Sequence, residues 1–309
     1  MTRQGITNLP ASIHARLLNK DRSLGRPPGE SFKYYIIERF IARLATSHYR
    51  ETFILKGALL YIAWGISLPR PTKDIDLLVI SNLSMEEVVN IIKEVCNQDV
   101  EPDGVEFNST TLRGVQLREG TNKPGVRITF QGKLGTAIFP MQIDIGYGDQ
   151  VTPGVLTIDY PNLLGDMTSS QLYGYPPETV IAEKLHAMVV LGSINSRMKD
   201  FFDIWYLTKR FNFDGAILQE AVINTFYARK TDLPVEIPIA LRQEFALQHK
   251  IQWKSFLGQY PKSYEELQDF TVVINYLRKF FSPLLLAIRN GYTFNQNWSS
   301  EDNWEKASD

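Results

Sequence analysis

The sequence predicts an α+β protein in which helices precede a mixed β-sheet and a mostly helical C-terminal lobe follows it. Three observations carry this. Helical periodicity marks residues 8–24 and 30–47 on either side of the breaker GRPPGE. Between residues 105 and 150 the pattern changes to short runs divided by glycines and a proline. Beyond YPNLLGDM, helix-start chemistry and long apolar-periodic segments return. A soft boundary near 165 separates an α/β domain with its N-terminal helices (1–165) from a helical C-terminal domain (166–309).

The elements follow in order. In FKYYIIERFIARL, Tyr34, Ile37, Ile41 and Leu44 share one helical face. FILKG at 53–57 is a short apolar segment leading into ALLYIAWG, a helix expected to end near Gly65. DIDLLVI is a strand, and SMEEVVNIIKEVCNQ at 84–98 an amphipathic helix with Ser84 as N-cap and Glu87 as its capping-box partner. VEFNSTTLR, VRITFQGKL and MQIDIGYGD read as strands. PETVIAEKLHAMVVLG opens with proline and acid, as helices do. SRMKDFFDIWYLTKRF continues the helical lobe, with further helices near 215–229, 238–249 and 263–289, and the polar tail from 291 is expected to be loosely held.

With 309 residues and 44% hydrophobic content, the chain can bury one large core or two ordinary ones. Net charge is −1, so no global charge announces nucleic acid. Residues 1–50 nevertheless carry nine Lys/Arg against three acids, and residues 291–309 one lysine against four acids. A basic N-terminal region could meet phosphates, although a solvated helix face is the favoured expectation. One cysteine, Cys96, excludes an internal disulfide, suits a reducing compartment and is expected in the core. No signal-peptide core and no membrane-length apolar stretch stand out, so a cytoplasmic location with no membrane partner is expected. The four histidines show no zinc spacing.

RPTKDIDLLV carries the chemistry. The strand is nearly all apolar, as strands buried on both faces are, yet Asp74 and Asp76 share one face. Two carboxylates about 4 Å apart repel by about 4 kcal/mol at an effective dielectric near 20. A fold holds such a pair by protonating one member or adding a cation, and Mg²⁺ commonly takes one or two carboxylates plus substrate phosphates. A third carboxylate, Asp144, interrupts the apolar strand MQIDIGYGD. Three in-facing carboxylates on neighbouring strands would suit two-metal phosphoryl chemistry. Gly57 stands between an apolar segment and a helix, where helix-start N–H groups can cradle phosphate, with Lys56, Arg70 and Lys73 nearby. The bland reading is an exposed acidic pair at a strand's end.

FILKGALLYIAWGISLPRPTKDIDLLV resembles the nucleotidyltransferase signature, in particular the long-spaced form of AbiEii/AbiGii-type toxins, in which Arg and Ser/Thr precede the DxD. MQIDIGYGD is similar to that family's third-carboxylate strand, and AEKLHAMVVLGSINSRMKDFFDIWYL to its C-terminal motif. The resemblance spans roughly residues 8–290. It implies a nucleotidyltransferase-like mixed sheet and the toxin half of a toxin–antitoxin or abortive-infection pair. It implies that Asp74, Asp76 and Asp144 bind Mg²⁺ or Mn²⁺, and that Lys56, Gly57, Ala58, Arg70 and Thr72 attend the NTP phosphates. Lys184 would engage the nucleotide, with Arg197, Lys199, Asp200 and Asp203 completing the cleft from the helical lobe. Ala58 departs from the usual Gly or Ser, which keeps a backbone contact but removes a hydroxyl one. Transfer to the 3′ end of a tRNA, with a cognate antitoxin as protein partner, is the expected activity.

Two rivals stand beside this reading: a metal-dependent nuclease, and a protein-binding module of the same fold without activity. Lys199 and Asp203 could be a mere i,i+4 surface pair, and Lys184 an exposed lysine. Asp200 has an argument of its own. At about 100° per residue, Leu207, Ile204, Phe201 and Trp205 gather around it, so Asp200 interrupts the face that should be packed. A buried carboxylate is costly without a partner, which predicts pairing with Arg197 or Lys184 and a role orienting the nucleotide-binding groups.

Overall fold

The structure, a computed structural model, describes residues 8–66, 72, 74–117, 125–259 and 262–306. Two compact units emerge: Met1–Gly148 with Leu156–Gly174, and Asp149–Val155 with Tyr175–Asp309.

The first unit opens with α1 (Leu9–Ser23) and α2 (Glu30–Thr46). Asn8 caps α1 through its side chain, which accepts from the Ala11 N–H at 3.1 Å. The α2 helix is buried over most of its length: Lys33 is exposed, as on a solvated face, but Glu38, Arg39 and Arg43 are internal, contrary to expectation. Arg43 donates to both oxygens of Asp103 at 2.6 and 3.2 Å and to the Val105 carbonyl, and Arg39 pairs with Glu38. A basic surface is therefore not what these arginines make. Phe40 of α2 packs against Phe107 and Phe130, ring centroids 5.7 and 5.6 Å away, which anchors the helix on the sheet.

That sheet has seven strands: β1 (Phe53–Lys56), β2 (Ile75–Val79), β3 (Val105–Gln116), β4 (Val126–Leu134), β5 (Ala137–Tyr147), β6 (Leu156–Tyr160) and β7 (Ser170–Gly174). Their spatial order is β3-β4-β5-β2-β1-β7-β6. The β2–β5 and β1–β7 pairs are parallel and the others antiparallel. Strands β6 and β7 are missing from the sequence reading, which has no strand after 150. They are five residues each and carry polar residues, so their strand character comes from pairing with one another and with β1. Between β1 and β2, α3 (Leu59–Ala63) is only five residues long and ends before Gly65. The α4 helix (Met85–Cys96) has the expected capping box: Ser84 accepts from the Glu87 N–H at 3.2 Å and Glu87 from the Ser84 N–H at 2.7 Å. It buries Val88, Ile91, Ile92, Val95 and Cys96, and burial pushes the Cys96 thiol up to about 12.

The second unit holds α5 (Pro177–Leu191), α6 (Met198–Thr208), α7 (Gly215–Ala228), α8 (Gln243–Gln248), α9 (Lys250–Leu257) and α10 (Phe270–Asn290). Two expected helices are interrupted. The 238–249 segment breaks where Arg242 is extended, with a 3₁₀ turn before it. The 263–289 segment divides into a 3₁₀ stretch and α10, whose N-cap Asp269 accepts from the Thr271 N–H. By length and composition α10 could cross a membrane. Its face of Val273, Ile274, Leu277, Phe280, Phe281 and Leu284 is buried in the unit's own core.

The tail is not loose. Residues Gln296–Ser299 (β9) and Asn303–Lys306 (β10) form an antiparallel pair joined by β8 (Phe213–Asp214). Trp298 is fully buried and donates to the Thr208 carbonyl at 2.9 Å, while Trp304 donates to the Phe280 carbonyl at 2.9 Å. Two indoles outweigh the polar composition on which the contrary expectation rests.

Candidate active site

In the first unit the site is a row across the sheet. Lys56 of β1 is the register partner of Asp76 on β2, Asp76 of Asp144 on β5, and Asp144 of Arg127 on β4. Register partners share a sheet face at a strand spacing of about 4.8 Å. The row thus reads cation, carboxylate, carboxylate, cation, and all four side chains are half-buried. Adjacent Asp76 and Asp144 would repel in isolation, and the flanking cations offset that. Asp74 precedes β2 rather than lying in it, and the Thr72 hydroxyl donates to its carbonyl at 3.4 Å. Arg70 and Lys73 lie outside the described residues.

Asp144 is engaged at both oxygens. Arg127 donates from Nε to one carboxylate oxygen at 2.8 Å and from its second terminal nitrogen to the other at 2.7 Å. Gln142 Nε2 lies 3.4 Å from both oxygens. A two-pronged guanidinium–carboxylate pair fixes orientation as well as charge. Sequence reading missed Arg127, yet a signal for it exists. The hairpin between β4 and β5 has a two-residue turn, Gly135–Thr136, with Gly135 at φ +60°, and Leu134 pairs with Ala137. Counting back from that turn pairs Arg127 with Asp144 directly.

Gly57 does something other than start a long helix. It sits at φ +72°, and a Cβ added there would lie 2.0 Å from Oδ2 of Asp76. Glycine therefore admits both the left-handed backbone and the close approach of the Asp76 carboxylate. Ala58 follows as the N-cap of α3 without a side-chain cap. A five-residue helix supplies little dipole, so the expected phosphate cradle rests on local backbone rather than on a helix field.

Among the described residues, no group of three or more His, Cys, Asp or Glu is poised to hold a metal. The donor set nonetheless fits Mg²⁺ in its usual protein mode, one or two carboxylates completed by substrate phosphates and water. Asp76 and Asp144 stand side by side, and Asp74 is two residues from Asp76 on the same chain. For Asp144 to contribute, the cation would have to compete with the Arg127 guanidinium that engages both of its oxygens.

The second unit holds a separate buried network. Lys184 of α5 donates to Oδ1 of Asp200 at 2.9 Å and to Oδ2 of Asp203 at 2.8 Å. The Arg197 Nε donates to Oδ2 of Asp200 at 2.6 Å. Side-chain exposure is 0% for Asp200, 1% for Asp203, 15% for Lys184 and 48% for Arg197. Asp200 is thus buried and paired with both Lys184 and Arg197. Burial alone would raise its pKa, but the charges and hydrogen bonds of those two cations outweigh it and hold the carboxyl below its ordinary value. Two cations balance two carboxylates, so Lys184 is a fixed ammonium rather than a loose surface lysine. Asp203 is buried on Lys184, whereas Lys199 is exposed.

A second cluster adjoins it along α5. Arg229 pairs with Asp149 at 2.9 Å and Glu183 at 3.1 Å, and Tyr175 donates to Glu183 at 3.1 Å. His186 lies 3.3 Å from Arg229 through Nδ1 and 3.0 Å from the Thr231 hydroxyl through Nε2. Arginine can only donate, so Nδ1 accepts and Nε2 carries the proton. Burial first, then the neighbouring Arg229 charge, push the His186 pKa down to about 4.

Comparison with known proteins places these features. No curated protein matches this chain. Among solved structures, JHP933 from Helicobacter pylori is 14% identical at a TM-score of 0.45, covering 85% of this chain and 92% of that one. A second H. pylori chain, proposed to be a nucleotidyltransferase, is 15% identical at a TM-score of 0.45, covering 84% of this chain and 94% of that one. The model of the AbiEii toxin nucleotidyltransferases matches residues 39–275, which include the whole row and the buried network. The chain therefore belongs to the AbiEii nucleotidyltransferase toxin family of type IV toxin–antitoxin systems.

Proposed function

We propose that the chain transfers a nucleotide from an NTP to the 3′ end of a tRNA, with Mg²⁺ or Mn²⁺ as cofactor, and so arrests growth in the cytoplasm until a cognate antitoxin relieves it. One observation carries the reading: Asp76 and Asp144 stand in register on adjacent parallel strands, with Gly57 making room for the Asp76 carboxylate. Asp74 and Asp76 would hold the cation, with Asp144 as third ligand. When bound, it would supply charge for activating the attacking oxygen and for neutralising the leaving pyrophosphate. Lys56, in register with Asp76, supplies positive charge beside the triphosphate, and the backbone at Gly57 and Ala58 its N–H donors, with Thr72 alongside. Lys184, oriented by Asp200 and Asp203, would offer a fixed ammonium to a phosphate. Arg197 and Lys199 would add charge there.

The test is incubation with total RNA and each labelled NTP in turn, with Mg²⁺ and with chelator. Label should enter RNA from one favoured NTP, disappear with chelator, and fall at least about a hundredfold in Asp76→Asn, as loss of a main charge-stabilising group costs. Shortened RNA without incorporation would instead identify a nuclease. Neither outcome, with no nucleotide bound, would identify a binding module.

A further inference from the structure

Asp144 gives both of its oxygens to one guanidinium, at 2.8 and 2.7 Å. A small divalent cation needs carboxylate oxygen at about 2.0–2.1 Å and tolerates little deviation. While the fork engages both oxygens, an arriving cation is left the remaining lone pairs and is repelled by the guanidinium charge beside it, so the two compete for the carboxylate. From this we infer that Arg127 is a positioning residue for the third carboxylate: it holds Asp144 while no cation is present, and loading of the cation displaces it. The inference rests on Asp74, Asp76 and Asp144 being the cation site.

Three features favour displacement over a permanent lock. The Arg127 side chain is 41% exposed and that of Asp144 23%, so the guanidinium can leave into water without stranding a buried charge. A pair this exposed is weak, and a doubly charged cation beside Asp76 competes well against it. The hairpin register keeps Arg127 on the same sheet face as Asp76, two strands away. A displaced guanidinium therefore stays at the site, where its planar fork suits phosphate oxygens. Gln142, 3.4 Å from both Asp144 oxygens, remains beside the carboxylate when Arg127 departs.

The experiment measures binding of Mn²⁺ alone to the full chain, without nucleotide, from the loss of the free-Mn²⁺ paramagnetic resonance signal. Wild type, Arg127→Gln, Arg127→Lys and Asp76→Asn are compared, each checked for fold by circular dichroism. Removing the competing fork should tighten Mn²⁺ binding about two- to fivefold in Arg127→Gln, the range expected for an exposed ion pair. Arg127→Lys, which keeps the charge but not the fork, should fall between. Should Arg127→Gln not fold, the gain in Arg127→Lys alone decides. Asp76→Asn should lose the binding. Binding that depends on Asp76 but is unchanged or weaker in the Arg127 variants would overturn the inference while leaving the cation site standing. Wild-type binding that does not depend on Asp76, or none at all, would overturn both.

Discussion

Replacing Gly57 by alanine gives the sharpest test of how the row is built. A Cβ there would lie 2.0 Å from Oδ2, 2.8 Å from Cγ and 2.9 Å from Cβ of Asp76. Rotating the Asp76 side chain moves the first two atoms but not its Cβ, which is fixed to β2. That strand is paired on both sides, so relief requires backbone movement. The left-handed backbone itself costs alanine about 1–2 kcal/mol, and overpacking adds about 1–3 kcal/mol. Gly57→Ala should therefore lose about 2–5 kcal/mol in urea unfolding. In an Asp76→Gly background all three contact atoms are gone, and the same substitution should cost only the backbone part, about 1–2 kcal/mol. Nucleotide incorporation by Gly57→Ala, with Asp76 otherwise intact, should fall at least about tenfold, or about 1.4 kcal/mol of barrier. Equal destabilisation in the two backgrounds would refute the contact as the reason for glycine. So would a Gly57→Ala protein within about 0.5 kcal/mol of wild type, the range of an innocuous surface change.

Lys184→Ala removes the ammonium that spans two buried carboxylates, and breaking a buried pair from one side typically costs about 3–5 kcal/mol. A comparable loss of unfolding free energy, partly recovered when Asp203→Asn is added, is expected; full stability in the single variant would show that the network carries no strength. His186 gives a pH dependence. Its folded pKa, about 4, lies below the ordinary 6.5, so between those values the unfolded chain binds more protons. Stability should thus be unaffected by His186 above about pH 6.5 and decline as pH falls towards 4, by up to about 3 kcal/mol. Urea melts at pH 7.5, 6 and 5 should show this slope in wild type and a shallower one in His186→Gln; identical slopes would mean that His186 titrates normally.

The carboxylates show why some of the candidate site was legible. Asp76 betrays itself because an acid in an apolar strand conflicts with its surroundings, and that conflict is local; Asp74, just before the strand, is read with it. Asp200 does the same on a helix, where periodicity alone put it among Leu207, Ile204 and Phe201. Its two partners were within reach of that argument because Arg197 precedes it by three residues and Lys184 lies in the preceding helix. Arg127 was harder, since an arginine in an alternating strand conflicts with nothing until the hairpin register sets Asp144 opposite.

Local order determined the rest of what could be read directly: the capped helices at 9–23 and 85–96, the helix at 177–191 and the long central strands, where propensity, capping and periodicity agree. Tertiary structure alone decided the others. Strands β6 and β7 exist because β1 offers an edge to pair with, and residues 296–306 form strands because Trp298 and Trp304 find a core and carbonyl acceptors far away in sequence. On α2, arginines with the spacing of a solvated face became internal because Glu38 and Asp103 were there to receive them. A side chain's sequence neighbours set its conformation, but its charge state and burial depend on partners that only folding brings within a few ångströms.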